Sequence, residues 1–496
     1  MPMGTETQDP KRHNGVGSPG LERCFLFDAV EESYEITGIT GRVPEWLRGS
    51  YYVNGPARFE RAGHRYNHWL DGDGMVCALR IAEQGIQFTS RFVETRKLKE
   101  EEAAGRFLFR AFGTAFPGDR LRRNLMLEPP VNVSVYPFAG TLLAFGEQAL
   151  PMELDPATLE TRGEFDFHGK LNDVSPFAAH PKFDPATGHL INFGISYAAK
   201  QPMLHVYEFD EGGSLVRRSR HPVELPHSNH DFGLAARHCV FFLSPLLMDF
   251  DRFWREGVSV MESLRWEPER GSRILVVPRE AKAGQAFTIP AGQGYCLHLI
   301  NCFEEGPLLT MDILELEAPV YAEYQPIPDL FQTVRPCRPV RYRIDLESRK
   351  LAERLPMDYD RTPDFPAIDP CLVSRGYTDF WMLGISASGA PGRKFFDQLA
   401  HGSWRKGDVR DLYQTPAGEY LGGEPIYAAN PNARGEGVVI VEHLKARNDE
   451  SAFLLFDAFA IKRGPIARLP LRHRIHPGFH ASWSATPLPA PSQSRL

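Results

Sequence analysis

Histidine is the side chain in this sequence that most invites a chemical reading, with 17 in 496 residues. Four of them precede signals of a chain reversal or a strand end: Ala-His180-Pro, Asn-His230-Asp, Leu-His298-Leu and Phe-His480-Ala. A neutral imidazole suits iron, zinc, copper or nickel, and ligands carried on separate strands can meet at one ion without any short motif. Their spacing therefore permits a metal centre without proving one. Any single histidine is more often a hydrogen-bonded structural or surface residue than a ligand, and closeness in sequence, as of His227 and His230, does not sort them. Other chemistries lack their signatures. No Gly-rich phosphate loop stands between a strand and a helix. Seven cysteines, scattered from Cys24 to Cys371 without a Cys-x-x-Cys pair, suggest neither a disulfide framework nor a zinc ribbon and fit a reducing compartment.

The elements that would position such ligands read as β-structure. Apolar runs of a strand's length recur between turn residues: VNVSVYPF and TLLAFGE flank Ala-Gly, and GHLINFGIS, HCVFFLS, RILVVPR, FWMLGIS, GVVIVEHL and SAFLLFDA follow the same rhythm. LDPATLETRGEFDF and FDPATGHLINFG, each an Asp-Pro turn leading to another strand, resemble the outer hairpins of propeller blades, although no strict repeat period is present. One stretch breaks the pattern. Leu243 to Trp266 places Leu246, Leu247, Phe250, Phe253 and Trp254 with helical spacing in its middle, which predicts an amphipathic insertion, packed on the body or touching a membrane surface. Residues 1–22 and the tail from Ser484 are Pro-, Ser- and Gly-rich and are expected to be disordered, leaving one folded domain over residues 23–483.

Charge and composition narrow the classes. Against 56 Lys and Arg stand 63 Asp and Glu, a net charge of −7 that offers no general basic surface to nucleic acid. The 42% hydrophobic content is ordinary for a globular protein. No run of 18 apolar residues occurs, and the polar N-terminus lacks the apolar core of a secretory signal. The expectation is a cytoplasmic protein with at most peripheral membrane contact.

Specific strings then add what spacing cannot. ITGRVPEWLRGSYYVNGPARFE leads to HWLDGDGMV (His68 to Val76), and FAAHPKFDPATG, HSNHDFGL, LHLINCFEE and HPGFHASW follow in that order. From about Phe25 to Trp483 these segments resemble the carotenoid cleavage oxygenase family. The resemblance implies an all-β, seven-bladed propeller with one Fe(II) on its central axis and a cap of loops and helices that forms a substrate tunnel. By position it makes His180, His230, His298 and His480 the iron ligands and leaves His227, His238, His473 and His476 outside. Acidic residues that fix the imidazole tautomers fall at Glu147 and Glu424. The third falls at Asp364, one methylene shorter than the family's usual Glu, so a longer, water-bridged or missing hydrogen bond is expected there. Val133 stands where many members carry Thr and reads as a packing residue.

The implied reaction is dioxygenase cleavage of a conjugated double bond in a carotenoid or apocarotenoid, with O₂ as co-substrate and both oxygen atoms in two carbonyl products. No catalytic residue beyond the ligands is implied. An apolar polyene is the expected partner, drawn from a membrane surface through the Phe241 to Trp254 region, with no nucleic acid and no protein partner evident. Stilbene cleavage on the same fold is the nearest alternative, but TSRFVETRK and LEPPVNVSV do not supply the Tyr and Lys that stilbene-cleaving relatives place near the phenol. A retinoid isomerase is a narrower branch, and a non-catalytic polyene-binding propeller would not need all four histidines. A hydrolytic zinc enzyme ordinarily uses three protein ligands.

Overall fold

Short apolar strands separated by tight turns cannot bury themselves singly, and here they pair into seven antiparallel sheets of four or five strands. The computed structural model describes residues 20–197, 201–280, 285–321, 330–332 and 334–486. The seven sheets are the blades of a β-propeller. The innermost strands are Ala481–Ser484 in blade 1, Ser134–Phe138 in blade 2, Lys182–Phe183 in blade 3 and Gly233–Leu234 in blade 4. Tyr295–Glu305, Asp364–Ala367 and Glu419–Ala429 serve blades 5, 6 and 7. Second strands such as Thr141–Phe145 are buried throughout because neighbouring blades cover both faces, whereas the outer strand Leu215–Pro222 alternates between covered and open positions.

Both chain ends close the ring. The last strand, Ala481–Ser484, pairs with Gly49–Arg58 and completes blade 1 from the inside, while Glu32–Glu35 and Thr40–Gly41 form the outer edges of blades 1 and 7. Each closure is a set of backbone hydrogen bonds between distant segments, so opening the ring breaks two blades together. The folded body begins earlier than residue 23: Leu21–Cys24 form a 3₁₀ turn with Leu21 and Cys24 in the core. The rest of the two terminal segments, residues 1–19 and 487–496, lies outside the described residues.

The predicted insertion over Leu243 to Trp266 is corrected in form. Leu246–Met248 pairs with Leu264–Trp266 as a small hairpin, and only a π-helical turn at Arg252–Glu256 and a helical turn at Val260–Ser263 lie between. Gly257, at φ 73°, ends the first turn, and a Ser259–Glu262 capping box starts the second, so no continuous helix forms. Leu246, Leu247 and Phe253 are buried, Phe250 is half-buried, and only Trp254, 45% exposed, faces outward. Three of the five candidate access residues are therefore core. Helical spacing could not separate this hairpin from a helix, because both bury alternate large residues over short runs.

Between blades 1 and 2 the chain makes the helix Arg96–Ala104 and a long loop. The Asp-Gly-Asp-Gly string anchors them. Asp73 pairs with Lys97 at 2.7 Å and Arg61 at 2.5 Å, and Glu101 accepts the Leu108 and Phe109 N–H groups. Asp71 accepts the Gly113 N–H at 2.8 Å and the Thr114 hydroxyl at 2.6 Å, and burial pushes its carboxyl up to about 6.

Candidate metal centre

Each of the four histidines sits where an inner strand begins or is interrupted. His480 immediately precedes the inner strand of blade 1, and His180 and His230 stand two and three residues before the inner strands of blades 3 and 4. His298 lies inside the blade 5 inner strand, where the pairing register slips between Cys296 and Leu299. Such a slip re-aims a side chain out of the pleat. The result is convergence: one ring nitrogen from each of His180, His230, His298 and His480 lies within 4.8 Å of all the others. His180 Nε2 and His230 Nε2 are 2.8 Å apart.

Carboxylates meet the far side of three rings. Glu147 Oε1 lies 2.6 Å from His230 Nδ1, Asp364 Oδ1 accepts from His298 Nδ1 at 2.5 Å, and Glu424 Oε2 accepts from His480 Nδ1 at 3.3 Å and from the Ala481 N–H. A ring whose Nδ1–H is held this way presents the Nε2 lone pair inward. The shorter Asp364 does not lose its contact. The blade 6 strand slips register between Asp364 and Ala367, and Phe365 takes a φ of 52°, which carries the carboxylate to the imidazole. Glu424 also lies in a slipped stretch, between Gly422 and Ile426.

The electrostatics favour the neutral form at two of the four histidines. Burial, and then the crowding of the other imidazoles, hold His180 and His480 well below the ordinary histidine range. Burial opposes the charged form of His230 too, but Glu147 outweighs it and the net shift is upward. Burial also pushes Glu424 up to about 7, whereas at Asp364 the His298 contact overcomes burial and the carboxyl falls below its usual range.

Four buried imidazole nitrogens fit a metal ion better than they fit one another. Donors that share an ion at about 2.1 Å stand roughly 3 to 4 Å apart, close to the spread seen here. His298 Nε2 is buried with no hydrogen-bond partner, an arrangement that a metal bond would satisfy. Other histidines singled out in the sequence are engaged elsewhere. His227 Nδ1 bonds the Ser244 carbonyl, His238 meets Glu304, His473 meets Glu32, and His476 stacks on Phe27. Val133 is buried, and its carbonyl accepts the His480 N–H at 3.0 Å.

The Asn-Gly-Pro and His-Pro-Gly strings prove to be one device. The Asn54 N–H donates to the His480 carbonyl and the Asn54 carbonyl accepts from the Phe479 N–H. A Cβ on Gly55 would lie 2.7 Å from the Gly478 Cα, so glycine is needed for this approach. A cavity of about 520 Å³ runs along the inner strands to His180, His298 and His480, with Tyr136, Lys182, Asp231 and Trp483 in its wall. On another side, Tyr321 is buried and Tyr197 half-buried near Glu147; burial, then the Glu147 charge, raises the Tyr197 phenol, and at Tyr321 burial outweighs a hydrogen bond from Tyr295, with the Glu147 charge adding to the rise. Phe112 packs on Tyr321 and on His68.

A seven-bladed propeller with four imidazoles gathered at its axis defines a class of metal-dependent protein. The family profile described as retinal pigment epithelial membrane protein matches residues 27–485, and the chain belongs to that carotenoid cleavage oxygenase family. It is 27% identical to isoeugenol monooxygenase of Pseudomonas nitroreducens, over 95% of this chain and 98% of that protein. It is also 27% identical to apocarotenoid-15,15'-oxygenase of Synechocystis, over 94% and 96%. Lignostilbene-alpha,beta-dioxygenase isozyme III of Sphingomonas paucimobilis matches at 28%, over 91% and 94%. The solved structure of cobalt-substituted Synechocystis apocarotenoid oxygenase superposes with a TM-score of 0.86 at 26% identity, covering 94% of this chain and 98% of that one.

Proposed function

We propose that the protein is an Fe(II)-dependent dioxygenase that splits a conjugated C=C bond of an apocarotenoid or carotenoid into two carbonyl products. The observation that carries this reading is the convergence of His180, His230, His298 and His480, with Glu147, Asp364 and Glu424 behind three of them. A ferrous ion held there would supply the unpaired electrons that let O₂ react with a closed-shell alkene. The overall reaction balances without a reductant: one C=C bond and one O₂ become two C=O groups.

The chain's own residues then have a limited task. Four neutral imidazoles would leave the ion's double charge uncompensated, and the three carboxylates keep the rings of His230, His298 and His480 turned inward. A flat conjugated chain would be positioned with one bond over the centre against aromatic side chains near Glu147, such as Tyr197 and Tyr321. No side chain is required as a general acid or base. Trp254, exposed and donating its indole N–H to the Leu125 carbonyl beside an exposed Leu125 side chain, is the residue of the predicted access patch whose exposure supports contact with a lipid surface. No helix among the described residues is long and apolar enough to cross a membrane.

A second reading keeps the same chemistry on a phenylpropenoid or stilbene. It is favoured by the names of the isoeugenol- and lignostilbene-oxidising relatives, which match as well as the apocarotenoid enzyme does. The test is product analysis with the iron-loaded protein. An apocarotenal in detergent, a hydroxylated stilbene and isoeugenol are supplied separately under ¹⁸O₂, and fragments are identified by mass. Two labelled carbonyl fragments from the apocarotenal support the first reading. Turnover of the phenolic substrates alone replaces it with the second, and no turnover of any of the three removes the proposed activity.

A further inference from the structure

One buried carboxylate outside the imidazole contacts joins three of the four histidine-bearing segments. Asp231, only 4% exposed, follows His230 directly. Its Oδ1 accepts the Phe232 N–H at 2.7 Å and lies 2.8 Å from the Lys182 ammonium, two residues beyond His180. Its Oδ2 accepts the Leu299 N–H at 2.8 Å, one residue beyond His298. Leu299 lies on an innermost strand, whose axial edge has no further strand to satisfy it. The segment is also the one whose register slips at His298, so its position is not set by the ladder alone.

From this geometry we infer that Asp231, with Lys182 as its counter-charge, is a positioning residue that sets the mutual spacing of His180, His230 and His298. Its carboxylate bonds backbone N–H groups and Lys182 rather than any of the three rings, and so acts on the site through the backbones that carry them. This rests on the four-histidine metal reading, but its readouts do not need turnover. Removing the carboxylate frees the Leu299 N–H and leaves Lys182 without its partner, so the three blades lose their shared anchor. His480, held separately by Glu424 and Asn54, is untouched.

The test uses the full chain and Co(II) as probe. Metal affinity is measured by competition with a chromophoric chelator, ligand geometry by the cobalt visible spectrum, and apo-protein stability by thermal unfolding. Asp231→Asn keeps the size and one acceptor, and is expected to weaken Co(II) binding by about 10- to 100-fold, as outer partners of metal ligands do, with a changed cobalt spectrum. Lys182→Met, at a partly exposed position, is expected to change both in the same direction by less. Asp312→Asn is the control: a buried carboxylate on the second strand of blade 5 whose oxygens bond Arg341 and Tyr377 and not a histidine-bearing segment. It should lower stability and leave affinity and spectrum unchanged. Unchanged affinity and spectrum in both site variants would overturn the inference, as would equal losses in the Asp312 control. Failure of the parent chain to bind Co(II) would instead refute the metal reading itself.

Discussion

Glu442 is buried in the second strand of blade 7, and its one clear partner is the Gly478 N–H, 2.8 Å from Oε2. Burial pushes its carboxyl up to about 8, against 4.5 for an ordinary glutamate. The folded protein thus keeps a proton that the unfolded chain releases once the pH passes 4.5. The contribution of Glu442 to stability is full below about 4.5 and is lost progressively as the pH rises to about 8. At 1.36 kcal/mol per pH unit the whole loss is roughly 4–5 kcal/mol, an upper value because the site can relax. Glu442→Gln keeps the size and an oxygen for Gly478 but cannot ionise. Urea unfolding of the metal-free parent and variant at pH 5, 6, 7 and 8 should show the variant gaining on the parent across this window. The relative gain should reach on the order of 2–4 kcal/mol. Curves that stay parallel from pH 5 to 8 would refute the reasoning.

Three other perturbations have defined outcomes. Glu147→Gln removes the negative partner of His230 Nδ1 and should weaken Fe(II) or Co(II) binding by about 10- to 100-fold with little change in apo stability, read by chelator competition. Gly55→Ala forces apart the backbones of Gly55 and Gly478 beside His480. It should cost about 1–3 kcal/mol in apo-protein unfolding and lower bound iron as well, and an unaffected metal content would show that the contact does not position His480. Trp254→Ala should reduce binding to phosphatidylcholine–phosphatidylglycerol vesicles by about 5- to 30-fold, on the order of 1–2 kcal/mol, with unfolding unchanged; equal vesicle binding would remove Trp254 from the access patch.

The propeller was legible because its information is local: short apolar runs, Asp-Pro turns and the family strings each specify a hairpin without reference to the rest. The four histidines were legible only through the strings around them, since residues as far apart as His180 and His480 meet through ring closure. What the chain conceals are departures from regular pairing. The slips at His298, Asp364 and Glu424 bring those side chains to the axis, and no periodicity in the sequence announces a bulge. The same blindness produced the expectation of a weakened Asp364 contact, which counted methylenes while the backbone moved. In the sequence Asp231 reads as an ordinary polar neighbour of a histidine, and its role appears only with the fold. Asn54 and Gly55 stood in a quoted string without a role. Their packing against the Gly478–His480 segment links residues from opposite ends of the chain, a contact that appears only after folding.

The most direct test of the central claim is the iron content of the anaerobically reconstituted full chain, compared with His230→Ala and His298→Ala. One Fe(II) per parent chain, and none in either variant while both still fold as β-proteins by circular dichroism, is the predicted result. Undiminished iron in both folded variants, or a parent that takes up none, would contradict a four-imidazole centre at the propeller axis.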